Sequence, residues 1–121
     1  MTTETAIRTY FAAVHGGGWE DFVADDFTSF VSVSFDNVRH GKRAYLEGAG
    51  RFFATTTGLE LRELVVSGDR VAAFVRYRVR SPKGTPGVCD VAELLTVRDS
   101  LLTSSAIFFD AQGLARFMAE S

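Results

Sequence analysis

Residues 70–80 read Arg-Val-Ala-Ala-Phe-Val-Arg-Tyr-Arg-Val-Arg. Val71, Ala73, Val75, Tyr77 and Val79 are apolar or aromatic, while Arg76, Arg78 and Arg80 stand between them. Successive side chains of a strand point to opposite faces, so this is a strand with one buried and one solvated face, as antiparallel sheets have. Turn-forming residues bracket it, Ser67-Gly68-Asp69 before and Ser81-Pro82-Lys83-Gly84 after, which predicts a hairpin at each end. The same parity in the next strand puts Cys89, Val91, Glu93, Leu95 and Val97 on one face, with Glu93 the single charge in an apolar row. A turn at Arg98-Asp99-Ser100 leads to a last strand from Leu101 to Phe109. Leu114, Phe117 and Met118 then predict a short terminal helix.

Upstream the period changes. Ala6, Ile7, Tyr10, Phe11 and Val14 recur at helical spacing, and Gly16-Gly17-Gly18 ends that helix because glycine loses most entropy inside one. Trp19, Phe22 and Val23 suggest a short second helix. The run from Phe27 to Phe35, rich in Phe, Val, Ser and Thr, reads as a strand entering a turn at Asp36-Asn37. After Gly41, Tyr45, Gly48, Ala49, Phe52 and Phe53 fall on one face of a third helix. Helices first and hairpins afterwards make an α+β pattern, and with no repeat or linker residues 1–121 read as one domain.

Composition narrows the function classes. The 121 residues are 46% hydrophobic and 23% charged, enough for a core without staples. A net charge of −2, two Pro and the lone Cys89 exclude a disulfide framework, a four-Cys zinc site and a generally basic nucleic-acid binder. No stretch approaches the ~18 apolar residues of a membrane span, and the first residues lack the pattern of a secretory signal. A cytoplasmic protein is expected, and the use of Arg over Lys suggests a bacterial source. No His/Asp/Glu spacing, nucleophile elbow or phosphate loop calls for a metal or a nucleotide, so no cofactor is expected.

The order of these elements resembles the nuclear transport factor 2-like superfamily, in its SnoaL-like and ketosteroid-isomerase-like branches. The resemblance is carried by Ala24-Asp25-Asp26 before the first strand, Gly41 opening the third helix, Gly68-Asp69-Arg70-Val71 at a hairpin and Ile107-Phe108-Phe109-Asp110 closing the sheet. It implies a cone in which three N-terminal helices pack on a curved antiparallel sheet around an apolar pocket, commonly as a homodimer. Members include isomerases, polyketide cyclases, dehydratases and binders without catalysis, so the fold does not name the reaction. In steroid isomerases the oxyanion hole is a tyrosine and a protonated acid. The resemblance places that tyrosine at Tyr10, in Tyr10-Phe11-Ala12-Ala13, and the acid at Glu93. The usual base falls on Val31 or Ser32, neither of which abstracts a proton at neutral pH.

Each candidate also has a plainer reading. A carboxylate on an apolar face must be paired, hydrogen-bonded or protonated, and Arg51 or Arg43 on the third helix could pair with Glu93. Tyr10 and Tyr77 could be core residues with satisfied hydroxyls. His40, near Asp36, could be a base with an orienting acid or an exposed loop residue. His15 reads as a helix-end contributor, Asp110 as an N-cap, the arginine row as a stripe paired with acids such as Asp90, and Cys89 as a buried hydrophobe. The reading expects an apolar, carbonyl- or hydroxyl-bearing ligand lined by Trp19, Phe22, Phe27, Phe30, Tyr45, Phe52, Tyr77 and Phe109. Isomerase, cyclase or lyase chemistry would use Tyr10 and Glu93 as donors and His40 or Asp36 as base. The alternative is a binding or interaction module without catalysis.

Overall fold

The computed structural model describes the chain except residues 33–36, with residue 37 described by its backbone alone. Helix α1 (Thr3–Gly16) starts where Thr2 Oγ1 accepts the Thr5 N–H, and it buries Ala6, Ile7, Tyr10 and Phe11. It stops at Gly17, whose φ of 99° is open to glycine and costly for other residues. Trp19–Phe22 form one 3-10 turn where a second helix was expected. Four residues between a left-handed Gly18 and an extended Val23 are too few to propagate an α-helix.

Strands β1 (Ser29–Ser32) and β2 (Asn37–His40) come next, then helix α2 (Lys42–Phe53), capped by Gly41 at φ 90°. The hairpin strands follow as β3 (Thr56–Ser67), β4 (Arg70–Arg80), β5 (Pro86–Arg98) and β6 (Leu101–Phe108), and helix α3 (Ala111–Glu120) closes the chain. The chain is therefore α+β. The expectation of three N-terminal helices is corrected: α1 alone precedes the strands, α2 lies mid-chain and α3 is C-terminal. Strand β2 was not anticipated, because four residues are too short to show an alternation. The expected turn at Asp36-Asn37 falls at the edge of the described residues, with Asp36 outside them.

The sheet order is β2-β1-β6-β5-β4-β3. β3 to β6 form the antiparallel meander read from the turns, but β1 runs parallel to β6, so the sheet is mixed. The Ala24 N–H donates to the Leu102 carbonyl and the Thr28 N–H to the Thr103 carbonyl, both at 2.9 Å, which leads the chain alongside β6 in its own direction. Register then aligns residues across strands. Ala73, Glu93, Ile107 and Ser32 form one row, and Leu95, Ser105, Phe30 and Arg39 form the next. Val71, Val75, Val79, Val91 and Leu95 face the helices with almost no exposure and make the core with Ile7, Phe11 and Trp19. No helix among the described residues is long and apolar enough to cross a membrane.

Candidate functional site

A cavity of about 360 Å³ opens between the inner sheet face, α2 and α3. Phe30, Tyr45, Phe52, Tyr77 and Phe109 line it together with Ile107, Leu114 and Met118. The other aromatic residues expected in its wall do not line it. Phe27 stacks on Tyr45 at 4.6 Å between ring centroids, Trp19 packs edge-on against Phe53 at 4.9 Å, and Phe22 is half-buried against the core. Apolar periodicity marks which residues leave water; which side of the buried layer they occupy depends on how elements stack.

Glu93 sits in the cavity wall with 4% of its surface exposed, and Tyr77 Oη donates to its Oε2 at 2.6 Å. Strand parity puts the carboxylate on the inner face, and Tyr77 reaches it from the same face of β4. No salt bridge joins Glu93 to an arginine among the described residues: Arg43 faces Glu47 at 3.5 Å, and Arg51 lies at the exposed side of the cavity. Burial pushes the Glu93 pKa up to about 7, and the Tyr77 hydrogen bond pulls the other way. Both protonation states are thus accessible at neutral pH.

Tyr10 is fully buried and stands behind the wall, where its hydroxyl shares a 2.6 Å hydrogen bond with Tyr45 Oη. Tyr45, not Tyr10, lines the cavity. Burial, reinforced by neighbouring hydroxyls and by Glu93, raises the pKa of Tyr10 well above its usual value. Burial and then Glu93 act in the same direction on Tyr45 and Tyr77, so all three phenols stay neutral donors. Ser105 lies close enough to influence Tyr45, yet neither its Oγ nor that of Ser32 makes a hydrogen bond of good geometry. Both serines are buried and line the cavity. Of the two positions where the usual base could fall, Ser32 faces the cavity and Val31 lies on the outer sheet face.

His40 ends β2 opposite Ser29, exposed and outside the cavity lining, and Asp36 lies outside the described residues. His15 Nε2 meets Thr56 Oγ1 at 2.7 Å, and since Thr56 donates to the Phe53 carbonyl, His15 is the donor. Asp110 caps α3 by accepting the Gly113 N–H at 2.9 Å. Arg76 forks onto Asp90 at 2.8 and 3.0 Å on the outer face. Cys89 is buried, and that burial, followed by the charges of Asp90 and Asp110, pushes its thiol up to about 11, unsuited to nucleophilic work. Sequence reasoning did not name Ser105 or Arg39 at the cavity, and it named Ser32 only as a possible base position and Arg51 only as a possible partner of Glu93; the pairing of β1 with β6 is what brings the serines in.

The SnoaL-like domain model matches residues 7–105. The chain belongs to the SnoaL-like family. No curated protein sequence matches it significantly. Among solved structures, a candidate SnoaL-like polyketide cyclase from Jannaschia sp. CCS1 is similar with a TM-score of 0.82 at 16% identity, over 98% of this chain and 92% of that one. TerC co-crystallised with polyporic acid gives 0.79 at 22% identity, with 98% of each chain covered. A Catenulispora acidiphila DSM 44928 protein with a ketosteroid isomerase-like fold, in complex with trimethylamine, gives 0.71 at 20% identity, over 92% and 88%. At these identities the likeness is one of fold. Together with the family match it places this SnoaL-like domain in the nuclear transport factor 2-like superfamily, and it leaves the chemistry to the domain's own cavity.

Proposed function

We propose that this SnoaL-like domain binds an apolar, carbonyl- or hydroxyl-bearing small molecule in the cavity and moves a proton on it through Glu93. The observation that supports this is Glu93 itself, a carboxyl buried in an apolar wall, hydrogen-bonded to Tyr77 and titrating near neutrality. As carboxylate it takes a proton from carbon next to a carbonyl. The negative charge then grows on the carbonyl oxygen, where Tyr45, Ser105 and Ser32 are the donors in reach of the cavity. Returning the proton to another carbon isomerises the ligand; if the carbanion adds to a second carbonyl, the proton goes to the new alkoxide and a ring closes. Glu93 serves as base and then acid, which replaces the role first considered for His40 or Asp36. Tyr10 acts only through Tyr45, by holding its hydroxyl.

The absence of an ionisable side chain at Ser32 favours the second reading, a carrier that binds without catalysis. The two are separated with 2-tetralone, an enolisable aryl ketone, in D2O. Its α-hydrogen exchange should be accelerated by the wild type with a rate that rises through pH about 7, the value to which burial pushes Glu93. Glu93→Gln should keep the fold and the bound ketone yet lose about 100-fold or more of that acceleration. Binding without acceleration by the wild type would assign the carrier role.

The same reading includes a homodimer. On the outer sheet face Val65, Phe74, Val88, Leu94 and Phe108 are all more than a third exposed, with the Arg76–Asp90 pair among them. An apolar area spread over β3 to β6 and crossed by a polar pair is a surface suited to a second copy.

A further inference from the structure

Resting on the cavity reading above, we infer that the ligand is an organic acid, held with its acidic group against Arg39 and Arg51 and a neutral oxygen against the buried hydroxyls near Glu93. Two sets of polar groups in the wall define these positions. Arg39 and Arg51 both line the cavity, and neither has an ion pair or hydrogen bond among the described residues. Arg39 projects from the edge strand β2 across α2, since a β-carbon built on Gly48 would stand 3.7 Å from its side chain and 3.4 Å from the Phe30 ring. Arg51 stands in the last turn of α2. Two cations on one apolar cavity, with no acid paired to them among the described residues, recognise a carboxylate or an acidic enol.

The wall around Glu93 is built differently. Ser32 and Ser105 are 7% and 3% exposed, and their hydroxyls have no hydrogen-bond partner of good geometry. Buried hydroxyls of this kind are costly unless something satisfies them, and both line the cavity. They share this part of the wall with Glu93 and Tyr77. A carboxylate placed here would face Glu93, so the acid must lie toward β2 and a carbonyl or hydroxyl oxygen must meet the serines. Arg39 and Glu93 are three strands apart in the sheet, roughly 15 Å through the backbone. Arg39 and Ser105 share a row two strands apart, roughly 10 Å through the backbone, a gap that two fused rings with a polar group at each end would span.

The probe is 6-hydroxy-2-naphthoate, compared with its neutral methyl ester by titration calorimetry. The acid should bind about tenfold more tightly than the ester in 50 mM salt, and that preference should shrink in 500 mM salt while the ester is unaffected. In the doubly substituted Arg39→Gln, Arg51→Gln protein the two should bind alike. Equal affinity in the wild type overturns the inference and leaves the cavity reading standing. A preference that survives in the double variant also overturns it, because the acid is then held elsewhere. Failure of both probes to bind overturns the inference and the cavity reading together. The salt series uses the wild type alone, so the inference is tested even where the variant folds poorly.

Discussion

Glu93 lies in one row with Ala73, Ile107 and Ser32, and no ion pair to it is formed among the described residues. Its ionisation is therefore opposed by burial and eased only by Tyr77. The consequence for stability has a definite sign. The folded-state pKa of about 7 exceeds the ordinary glutamate value of 4.5, so between them the folded protein binds more protons than the unfolded chain. Stability contributed by this site is present below pH 4.5, falls as pH rises to about 7 and is level above that. Relative to the wild type, Glu93→Gln should thus gain stability from pH 4.5 to 7, on the order of 3 kcal/mol at most, in urea unfolding series at fixed pH. A difference that does not change over this range would mean that the carboxyl is solvated or paired. The residue's isolation was legible in sequence, since strand parity singles out one charge in an apolar row. Its partner was not, because Tyr77 and Glu93 are 16 residues apart and meet through the β4–β5 register.

At the level of elements, helix α3 forms one side of the cavity through Leu114 and Met118, and its seat on the sheet depends on a close approach. A β-carbon at Gly87 on β5 would stand 2.7 Å from the Phe117 ring, too near for either to remain in place. Gly87→Ala should push α3 outward, costing about 1–3 kcal/mol by the usual penalty for overpacking. Hydrogen exchange should then quicken across residues 111–120 while the amides of β4 keep their protection. Unchanged exchange in α3 would place Phe117 elsewhere. The ends of α3 follow from local chemistry: Asp110 was readable as its N-cap, and the turn at Asp99 and Ser100, both at positive φ, was readable as a hairpin. The pairing of β1 with β6 was not, since a parallel partner some seventy residues away leaves no trace in either strand's own pattern.

In the assembly of the chain as a unit, one sheet face is covered by helices, and the other is open and mixes apolar side chains with charged ones such as Arg76, Arg78 and Asp90. The open face carries Phe74 at 49% and Leu94 at 46% exposure, values that a second copy would reduce. Sedimentation equilibrium at micromolar concentration should give twice the chain mass, and Phe74→Asp combined with Leu94→Asp should give a monomer with an unchanged circular dichroism spectrum. A wild type that sediments as a monomer would reject the homodimer.

Alternation, turn residues and helical spacing act between near neighbours, and they were enough for the α+β class, the β3–β6 meander, α1, α2, α3 and the inward direction of Glu93. The mixed sheet, the short β2 and the sorting of aromatics into core and wall required contacts between distant segments. Phe27 and Phe30 show the difference: three residues apart and equally apolar, one stacks behind Tyr45 and the other faces the cavity. Hydrophobicity drives both out of water to a similar degree, but a wall is defined by what stands opposite it, and that is set when α2 and α3 close over the sheet.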